Sequence, residues 1–372
     1  MLTRRELGRL ALAVPAAAVA GTRWPAAAGL QARPDSRISG VQVGTITYSF
    51  RSMPDQTAEG TLRYTVESGI SAVELMGAPV MDYARRRTGF QPPVVEGRGG
   101  GAGRGGGRGQ GNQPQRTASW NGVACAPGSE GADPVYDDEP APTGRGGRGA
   151  QSPEQLAAAE AERKWRMSLS MDIFRDLRKM YNDAGVTIYA VKDVRQETDE
   201  DLEFTFAVAE ALGATHVTLE LPGGPGARAQ LRRLGDWAVK KKIYVAYHTH
   251  LQGSMTAFDE AFSISPGNMA NVDFGHMVAG GNRGGTPLDF LRKYHARISS
   301  FHLKDRTLPE NCALNLPWGR GQTPIREILQ MVRDNRWDIP ATIELEYQIP
   351  EGSNAVAEVR RCLDYCRQAL TG

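Results

Sequence analysis

Four segments in the second half of the chain end in residues whose side chains commonly bind metal ions. The segments begin near residues 243, 271, 298 and 341, and their carboxyl ends carry His248 and His250, Asp273 and His276, His302 and Asp305, and Glu344 and Glu346. A spacing of roughly 27 to 30 residues is what one strand, one helix and two loops of a parallel α/β unit require. Because parallel strands end at the same edge, we expect these side chains to form a single site.

Histidine usage supports this interpretation. The chain has six histidines, and four of them, His248, His250, His276 and His302, lie at or near the predicted strand ends. A single residue of this kind is usually a histidine with a structural hydrogen bond. Four together, accompanied by carboxylates, favour a site for one divalent metal ion, for which Mn, Co, Mg and Zn are candidates.

Strand and helix patterns alternate along the chain. Strands are predicted at residues 41–50, 72–76, 187–193, 216–220, 243–250, 272–276, 298–305 and 341–347. Helices are predicted at 62–68, 168–184, 199–212, 227–240, 286–295, 324–335 and 354–370. This alternation predicts an α/β protein, a (β/α)8 TIM barrel that extends over residues 38–372.

One interval of the predicted barrel is irregular, because its second and third strands begin at residues 72 and 187. Residues 91–165 between them are rich in Gly and Arg, and such low-complexity sequence cannot bury enough apolar surface to fold alone. We expect a flexible insertion after strand 2, with a lid at residues 120–136 and a helix at 152–166. Arg-Gly repeats also occur in RNA-binding segments, but the absence of aromatic residues from 91–119 argues against that role.

Residues 1–30 are predicted to be an export signal. Arg4 and Arg5 precede an apolar stretch at 10–20, and small residues at 18–20 and 26–28 offer cleavage sites. This arrangement resembles a twin-arginine signal and predicts a periplasmic or secreted protein with no membrane attachment after the signal is removed. A short anchoring helix is the alternative. The net charge of +2 gives no reason to expect a nucleic-acid partner.

The four cysteines have no spacing typical of a disulfide framework or of a zinc site. They are Cys125, Cys312, Cys362 and Cys366. Cys362 and Cys366 lie one helical turn apart in the last predicted helix, so we interpret them as packing residues.

Eight short motifs are informative when taken together. They are Val41-Gln42-Val43-Gly44, Tyr48-Ser49-Phe50, Val73-Glu74-Leu75, Tyr247-His248-Thr249-His250, Asp273-Phe274-Gly275-His276, Phe301-His302-Leu303-Lys304-Asp305-Arg306, Trp318-Gly319-Arg320-Gly321 and Ile343-Glu344-Leu345-Glu346. Through these motifs the chain resembles the sugar phosphate isomerase/epimerase family with a xylose isomerase-like barrel, which is related to ketose 3-epimerases, inosose dehydratase and endonuclease IV. The most specific feature is the His-Leu-Lys-Asp run after an Asp-x-Gly-His strand.

The resemblance implies a metal ion that is held by Glu, Asp, His and Glu at the ends of strands five to eight. Carried over to this chain, strands six, seven and eight supply Asp273, His302 and Glu344. Strand five departs from the family pattern, because His248 stands where the epimerases have a glutamate that binds the metal and transfers protons. His248 can still bind the ion, but a metal-bound imidazole is a poor general base.

Proton transfer is therefore expected from another residue. The predicted catalytic set consists of Glu344, Glu220, His250, Glu346 and Lys304. Substrate contacts are predicted for Glu74, Lys192, His276, Asp305 and Arg320. Two alternatives stay open: Glu74 forms an ion pair with Lys192, and Lys304 with Asp305 buttresses His302.

The leading hypothesis is a metal-dependent sugar isomerase or epimerase that removes a proton next to a carbonyl and forms an enediolate. Three alternatives remain: a 3-keto-glycoside lyase or hydrolase that uses the same site, a noncatalytic sugar-binding barrel, and an endonuclease IV-like phosphoesterase. The phosphoesterase needs more histidine ligands than these strand ends supply. The expected partner is a small carbohydrate, and a homo-oligomer is an open alternative because relatives often form dimers or tetramers.

Overall fold

The structure is a computed structural model that describes residues 33–93, 119–120, 123–124, 152–192 and 194–372. The predicted export signal, most of the predicted lid and the Gly/Arg-rich parts of the insertion lie outside the described residues and stay predictions. Between the second and third barrel strands, Ser119–Trp120 and Val123–Ala124 form a short antiparallel pair.

Eight parallel strands form a closed barrel. In chain order they are β1 (Val41–Ile46), β2 (Ala72–Met76), β3 (Thr187–Lys192), β4 (His216–Glu220), β5 (Tyr244–His248), β6 (Asn268–Asp273), β7 (Ile298–Leu303) and β8 (Ala341–Ile343). Each strand pairs with the next one along the chain, and β8 closes the barrel by pairing with β1. The predicted (β/α)8 barrel is therefore confirmed.

Helices connect the strands and cover the outside of the barrel. They are α1 (Ala58–Glu67), α2 (Gly77–Thr88), α3 (Pro153–Met167), α4 (Asp172–Asp183), α5 (Asp199–Leu212), α6 (Ala227–Lys241), α7 (Asp259–Ile264), α8 (Phe274–Ala279), α9 (Pro287–Tyr294), α10 (Ile325–Asn335) and α11 (Ala355–Thr371). Apolar side chains from these helices pack against the outer faces of the strands in one continuous core.

Local sequence signals explain where several helices begin. The side chain of Ser152 accepts a hydrogen bond from the backbone N–H of Gln155, whose side chain bonds back to Ser152, so α3 starts with a capping box. Thr198 and Asp201 form the same arrangement at the start of α5. Helix α5 then ends at Gly213, whose φ of 75° lies in the left-handed region that glycine adopts without strain.

The structure differs from the sequence prediction at the ends of β2 and β6. Helix α2 was not predicted, because Gly77 and Pro79 in its first turn resemble a loop and Met76 provides no side-chain cap. Strand β6 was predicted at residues 272–276 but ends at Asp273. The Asp273 side chain accepts the backbone N–H of His276, and this cap starts α8 where the prediction continued the strand.

Polar side chains occupy the interior of the barrel. The hydroxyl of Tyr189 lies 2.7 Å from Thr342 Oγ1, and His216 Nε2 lies 2.9 Å from Ser300 Oγ. Gly44 leaves room for this layer, since a Cβ at this position would lie 2.7 Å from the ring of Tyr189. The barrel interior below the carboxyl ends of the strands therefore contains pairs of hydrogen-bonded polar side chains.

Cysteine chemistry differs in part from the prediction. Cys362 and Cys366 are buried thiols in α11, which agrees with their interpretation as packing residues. Cys312 is disulfide-bonded. Spacing along the chain did not predict this bond, because it does not show which sulfur atoms meet in space.

Among the helices of the described residues, none combines the length and the apolar character that crossing a bilayer requires.

His216 makes folding sensitive to acid. Burial lowers the pKa of His216 to about 4, from 6.5 as the ordinary value. Because the unfolded chain binds this proton more readily, the stability associated with His216 is fully present above pH 6.5 and decreases as the pH falls towards 4. We expect the His216→Gln variant to lose roughly 2 kcal/mol less unfolding free energy than the parent protein between pH 7 and pH 5.

Urea unfolding of both proteins at the two pH values measures this difference. Equal losses of unfolding free energy in the parent and the variant would contradict a neutral, buried His216.

Candidate metal centre

The carboxyl ends of four neighbouring strands bring together four buried side chains. His248 ends β5, Asp273 ends β6, His302 lies in β7, and Glu344 directly follows β8. One potential ligand atom from each residue lies within 4.8 Å of the others. These are the four residues that the sequence predicted as metal ligands.

Asn271 orients the imidazole of His248. The Nδ2 atom of Asn271 donates to the carboxylate of Glu74 over 3.3 Å, so its Oδ1 faces His248 and accepts from Nδ1 over 2.9 Å. Burial, and next the charge of Lys192, lower the pKa of His248 to about 3. His248 is therefore a neutral imidazole with its proton on Nδ1, and its Nε2 lone pair is available for a metal ion.

Asp273 has one oxygen in a cap and one oxygen that makes no hydrogen bond. Its Oδ1 accepts the backbone N–H of His276 over 2.8 Å. Its Oδ2 is buried without a hydrogen-bond partner among the described residues, although Lys304 Nζ lies 3.2 Å away. A buried carboxylate oxygen without a hydrogen bond is unusual, and it is well suited to bind a cation.

Two carboxylates flank His302 within the barrel. His302 Nδ1 lies 2.6 Å from Glu344 Oε2, and Nε2 lies 2.8 Å from Glu74 Oε2. Burial opposes protonation of this ring, but Glu74 and Glu344 outweigh it and raise the pKa of His302 to about 10. Burial also opposes ionisation of Glu74, but His302 prevails and lowers the pKa of Glu74 to about 2. At neutral pH, His302 thus carries protons on both nitrogens, and one nitrogen must release its proton to bind an ion.

Lys304 places a buried positive charge beside the same carboxylates. Its Nζ lies 2.6 Å from Glu346 Oε2 and 3.2 Å from both Asp273 Oδ2 and Glu344 Oε2. The side chain of Lys304 is only 2 % exposed. It therefore compensates the charge of two potential metal ligands and of one further glutamate.

His276 lies between two basic side chains at this end of the barrel. Its Nε2 is 2.6 Å from Lys304 Nζ, and its Nδ1 is 2.6 Å from Arg306 Nη1. Burial, followed by these two charges, lowers the pKa of His276 well below its ordinary value. The ring also stacks on His250 at a centroid distance of 4.8 Å. His276 is therefore a neutral ring that contacts Lys304, Arg306 and His250.

A second group of residues lies closer to solvent. Glu220 Oε2 is 3.2 Å from His250 Nε2, and Glu220 Oε1 is 3.0 Å from Lys192 Nζ. The side chains of Glu220 and His250 are 46 % and 34 % exposed. Burial resists ionisation of Glu220, but Lys192 and the two histidines His248 and His250 hold its pKa well below the ordinary value. Glu220, His250 and His248 form a second set of potential ligands, whose ligand atoms lie within 4.8 Å of one another.

Asp305 organises the loop that follows β7. Its Oδ2 accepts the backbone N–H groups of Gly319, Arg320 and Gly321 at 2.7 to 3.0 Å, and its Oδ1 accepts that of Thr323 at 3.3 Å. Burial nevertheless raises the pKa of Asp305. Gly321 is required for this close approach, since a Cβ there would lie 2.2 Å from Asp305 Oδ1. The predicted substrate contacts of Asp305 and Arg320 are not tested by this arrangement and stay predictions.

The structure changes one predicted pairing and adds one residue to the predicted site. Glu74 bonds to His302 rather than forming a direct ion pair with Lys192, which bonds to Glu220 instead. The contact of Asn271 with His248 is not predicted from the sequence. An asparagine two residues before Asp273 in an otherwise apolar strand was the available signal.

The donor set fits a divalent ion. His248 offers a nitrogen lone pair in a defined tautomer, and Asp273 offers a buried oxygen without a hydrogen bond. Together with His302 and Glu344 they supply two nitrogen and two oxygen donors, a combination that suits Zn, Mn and Co better than Mg.

Comparison with known proteins identifies the family of this barrel. A family model described as a xylose isomerase-like TIM barrel matches residues 140–367. The chain belongs to this family. The match confirms the family resemblance, and it includes all four potential ligands of the metal centre.

Several known proteins share part of the sequence of this chain or its fold. Inosose dehydratases from two strains of Clostridium botulinum are 35 % identical over 80 residues, which are 20 % of this chain and about a quarter, 26 %, of each relative. The probable 3-DHS dehydratase AsbF from Bacillus anthracis has a TM-score of 0.52 at 14 % identity, with 87 % of this chain and 98 % of that one covered. A xylose isomerase domain protein from Alicyclobacillus acidocaldarius has a TM-score of 0.51 at 13 % identity, with 89 % and 100 % covered. These structural similarities show the fold alone.

Replacement of Asp305 by Asn is predicted to loosen the loop at residues 319–323. An amide oxygen in the position of Oδ2 would keep the N–H groups of residues 319–321 but without the negative charge, and the N–H of Thr323 would face an NH2 group, at a cost of about 2 kcal/mol in unfolding free energy. Hydrogen–deuterium exchange of this loop measures the effect. The Asp183→Asn variant is the control, because Asp183 forms an exposed ion pair with Lys179. Unchanged exchange in Asp305→Asn would contradict the role of this carboxylate.

Proposed function

We propose that this protein is a divalent-metal-dependent enzyme that isomerises or epimerises a sugar or a related polyhydroxy ketone by removing a proton next to its carbonyl. The observation that carries the proposal is the arrangement of two sets of residues. Four buried potential ligands lie at the strand ends, and the paired side chains of Glu220 and His250 lie beside them, closer to solvent.

A metal ion held by His248, Asp273, His302 and Glu344 would polarise the carbonyl oxygen of the substrate and lower the energy of the developing enediolate. Asn271 would support this site by fixing the tautomer of His248.

Glu220 and His250 are the best candidates for proton transfer. The His250 ring is partly exposed, and Glu220 can stabilise its protonated form across 3.2 Å. Glu346 is less suited to this role, because its Oε2 lies 2.6 Å from the buried ammonium of Lys304. An imidazole in hydrogen-bond contact with a carboxylate can accept a proton from one carbon atom and return it to another.

Elimination is the second candidate function. The curated relatives that match part of this chain are named dehydratases, and loss of water next to a carbonyl can begin with the same proton removal. A protonated His250 could then donate to the leaving oxygen. The same step would serve a lyase acting on a 3-keto-glycoside, which fits the proposed export of this chain to the periplasm or the exterior.

Metal content tests the first part of the proposal. We expect one divalent ion per chain in the parent protein and its loss in Asp273→Asn, because the amide keeps the helix cap but removes the negative charge. Elemental analysis after incubation with Mn, Co, Mg or Zn measures this, with Asp289→Asn as a control, because Asp289 is an exposed capping aspartate of α9 outside the potential ligand set. No ion in the parent protein under any of these conditions would contradict the proposal and would favour a noncatalytic barrel.

Proton exchange tests the second part. In heavy water, the parent protein is expected to exchange a carbon-bound proton of its substrate, whereas His250→Ala and Glu220→Gln should slow the exchange by about 10²-fold or more. The readout is nuclear magnetic resonance over a panel of ketoses and 3-keto-glycosides. Appearance of an unsaturated ketone would identify elimination, and absence of both reactions across the panel would count against proton abstraction.

A metal measurement on the same two variants separates the possible roles of Glu220 and His250. Retained ion with lost exchange supports proton transfer. Loss of the ion would instead assign these residues as ligands.

A further inference from the structure

The ammonium group of Lys304 lies against carboxylate oxygens of two potential metal ligands. Its Nζ is 3.2 Å from Asp273 Oδ2 and 3.2 Å from Glu344 Oε2. Both oxygens belong to residues whose ligand atoms cluster within 4.8 Å of His248 and His302. A single buried cation thus contacts two members of the potential ligand set.

The negative charges of Asp273 and Glu344 explain why the ammonium group of Lys304 lies between them. Asp273 and Glu344 are buried, and buried carboxylates are costly unless a cation or several donors compensate them. Lys304 provides that compensation. A divalent ion bound to the same two oxygens would bring a second positive charge within a few ångströms of Nζ, where repulsion between like charges is strong.

Glu346 gives Lys304 a partner outside the ligand set. Its Oε2 is 2.6 Å from Nζ, shorter than either distance to the potential ligands. The side chain of Glu346 is 21 % exposed, so this contact points from the buried ligands towards the barrel mouth. Lys304 can therefore leave Asp273 and Glu344 and still keep one ion pair.

We propose that Lys304 is an internal counter-ion of the metal centre, which holds Asp273 and Glu344 in the metal-free protein and shifts onto Glu346 when a divalent ion binds. Lys304 then acts as a positioning residue that lowers the affinity for the ion and protects the empty site from charge repulsion. The inference rests on the metal-dependent function proposed above, because it requires an ion at Asp273 and Glu344.

The test compares the parent protein with Lys304→Met and Lys304→Gln, the second of which keeps hydrogen-bonding capacity without the charge. Chelator competition gives the Kd for Mn²⁺ and Zn²⁺, and thermal unfolding is followed with and without the ion. Both variants should bind the ion about tenfold or more tightly than the parent. Without the ion their Tm should fall by on the order of 5 °C, and the ion should raise it more than in the parent.

Lys179→Met is the matched control. It also removes one lysine charge, but from an exposed ion pair with Asp183 in α4. Its Kd and its Tm response to the ion should equal those of the parent. A purely structural role of Lys304 would lower stability without tightening metal binding.

The role of Glu346 is tested by a double-mutant cycle. Glu346→Gln should weaken ion binding in the parent protein, where Lys304 loses its alternative partner. The same change should have little effect in the Lys304→Met background, because Glu346 acts through Lys304. An equal effect in both backgrounds would overturn this part of the inference.

The outcomes distinguish the inference from the function on which it rests. An ion that binds the parent and Lys304→Met with equal affinity overturns the inference and leaves metal dependence intact. An ion that binds the variants but not the parent contradicts the metal dependence proposed for the parent protein, and it overturns the role of Lys304 as the counter-ion of a working metal centre. Absence of binding in every protein overturns both the inference and the proposed metal dependence.

Discussion

Compensation of buried negative charge is the constraint on which the metal centre depends. Glu74, Asp273 and Glu344 are all buried at one end of the barrel, where an uncompensated carboxylate would be strongly destabilising. His302 lies between two of them, and Lys304 contacts the third. The residues of the candidate metal centre and their neighbours therefore also compensate the buried charge at this end of the barrel.

The parallel barrel brings this charge cluster together through strand register. His302 lies opposite Asp273 in the pairing of β7 with β6, and His248 lies opposite Asn271 in the pairing of β5 with β6. Asn271 then joins His248 to Glu74 on the far side of the barrel interior. The closed sheet thus brings together potential ligands that are far apart in sequence. Asn271 and Glu74, which are outside the potential ligand set, connect them through hydrogen bonds.

The histidine at the end of β5 separates two tasks that the family resemblance combines in one glutamate. His248 is a neutral ring with a defined tautomer, which suits metal binding and not proton removal. Glu220 and His250 lie beside it and nearer to solvent, where a substrate can reach them. The partial match to dehydratases and the family barrel are compatible with either isomerisation or elimination, since both begin with loss of a proton next to a carbonyl.

The sequence alone indicated the barrel, because the alternation of strand and helix patterns is a local property, and it indicated the four potential ligands through the resemblance of its strand-end motifs to a known family. It also indicated the helix at 152–166, whose capping residues are adjacent in sequence. Only the tertiary structure decided that Glu74 pairs with His302, that Lys304 lies among three carboxylates and that Cys312 is disulfide-bonded. Such pairings depend on distances between residues as far apart as 74 and 302, and the energy of a buried charge depends on all its neighbours at once.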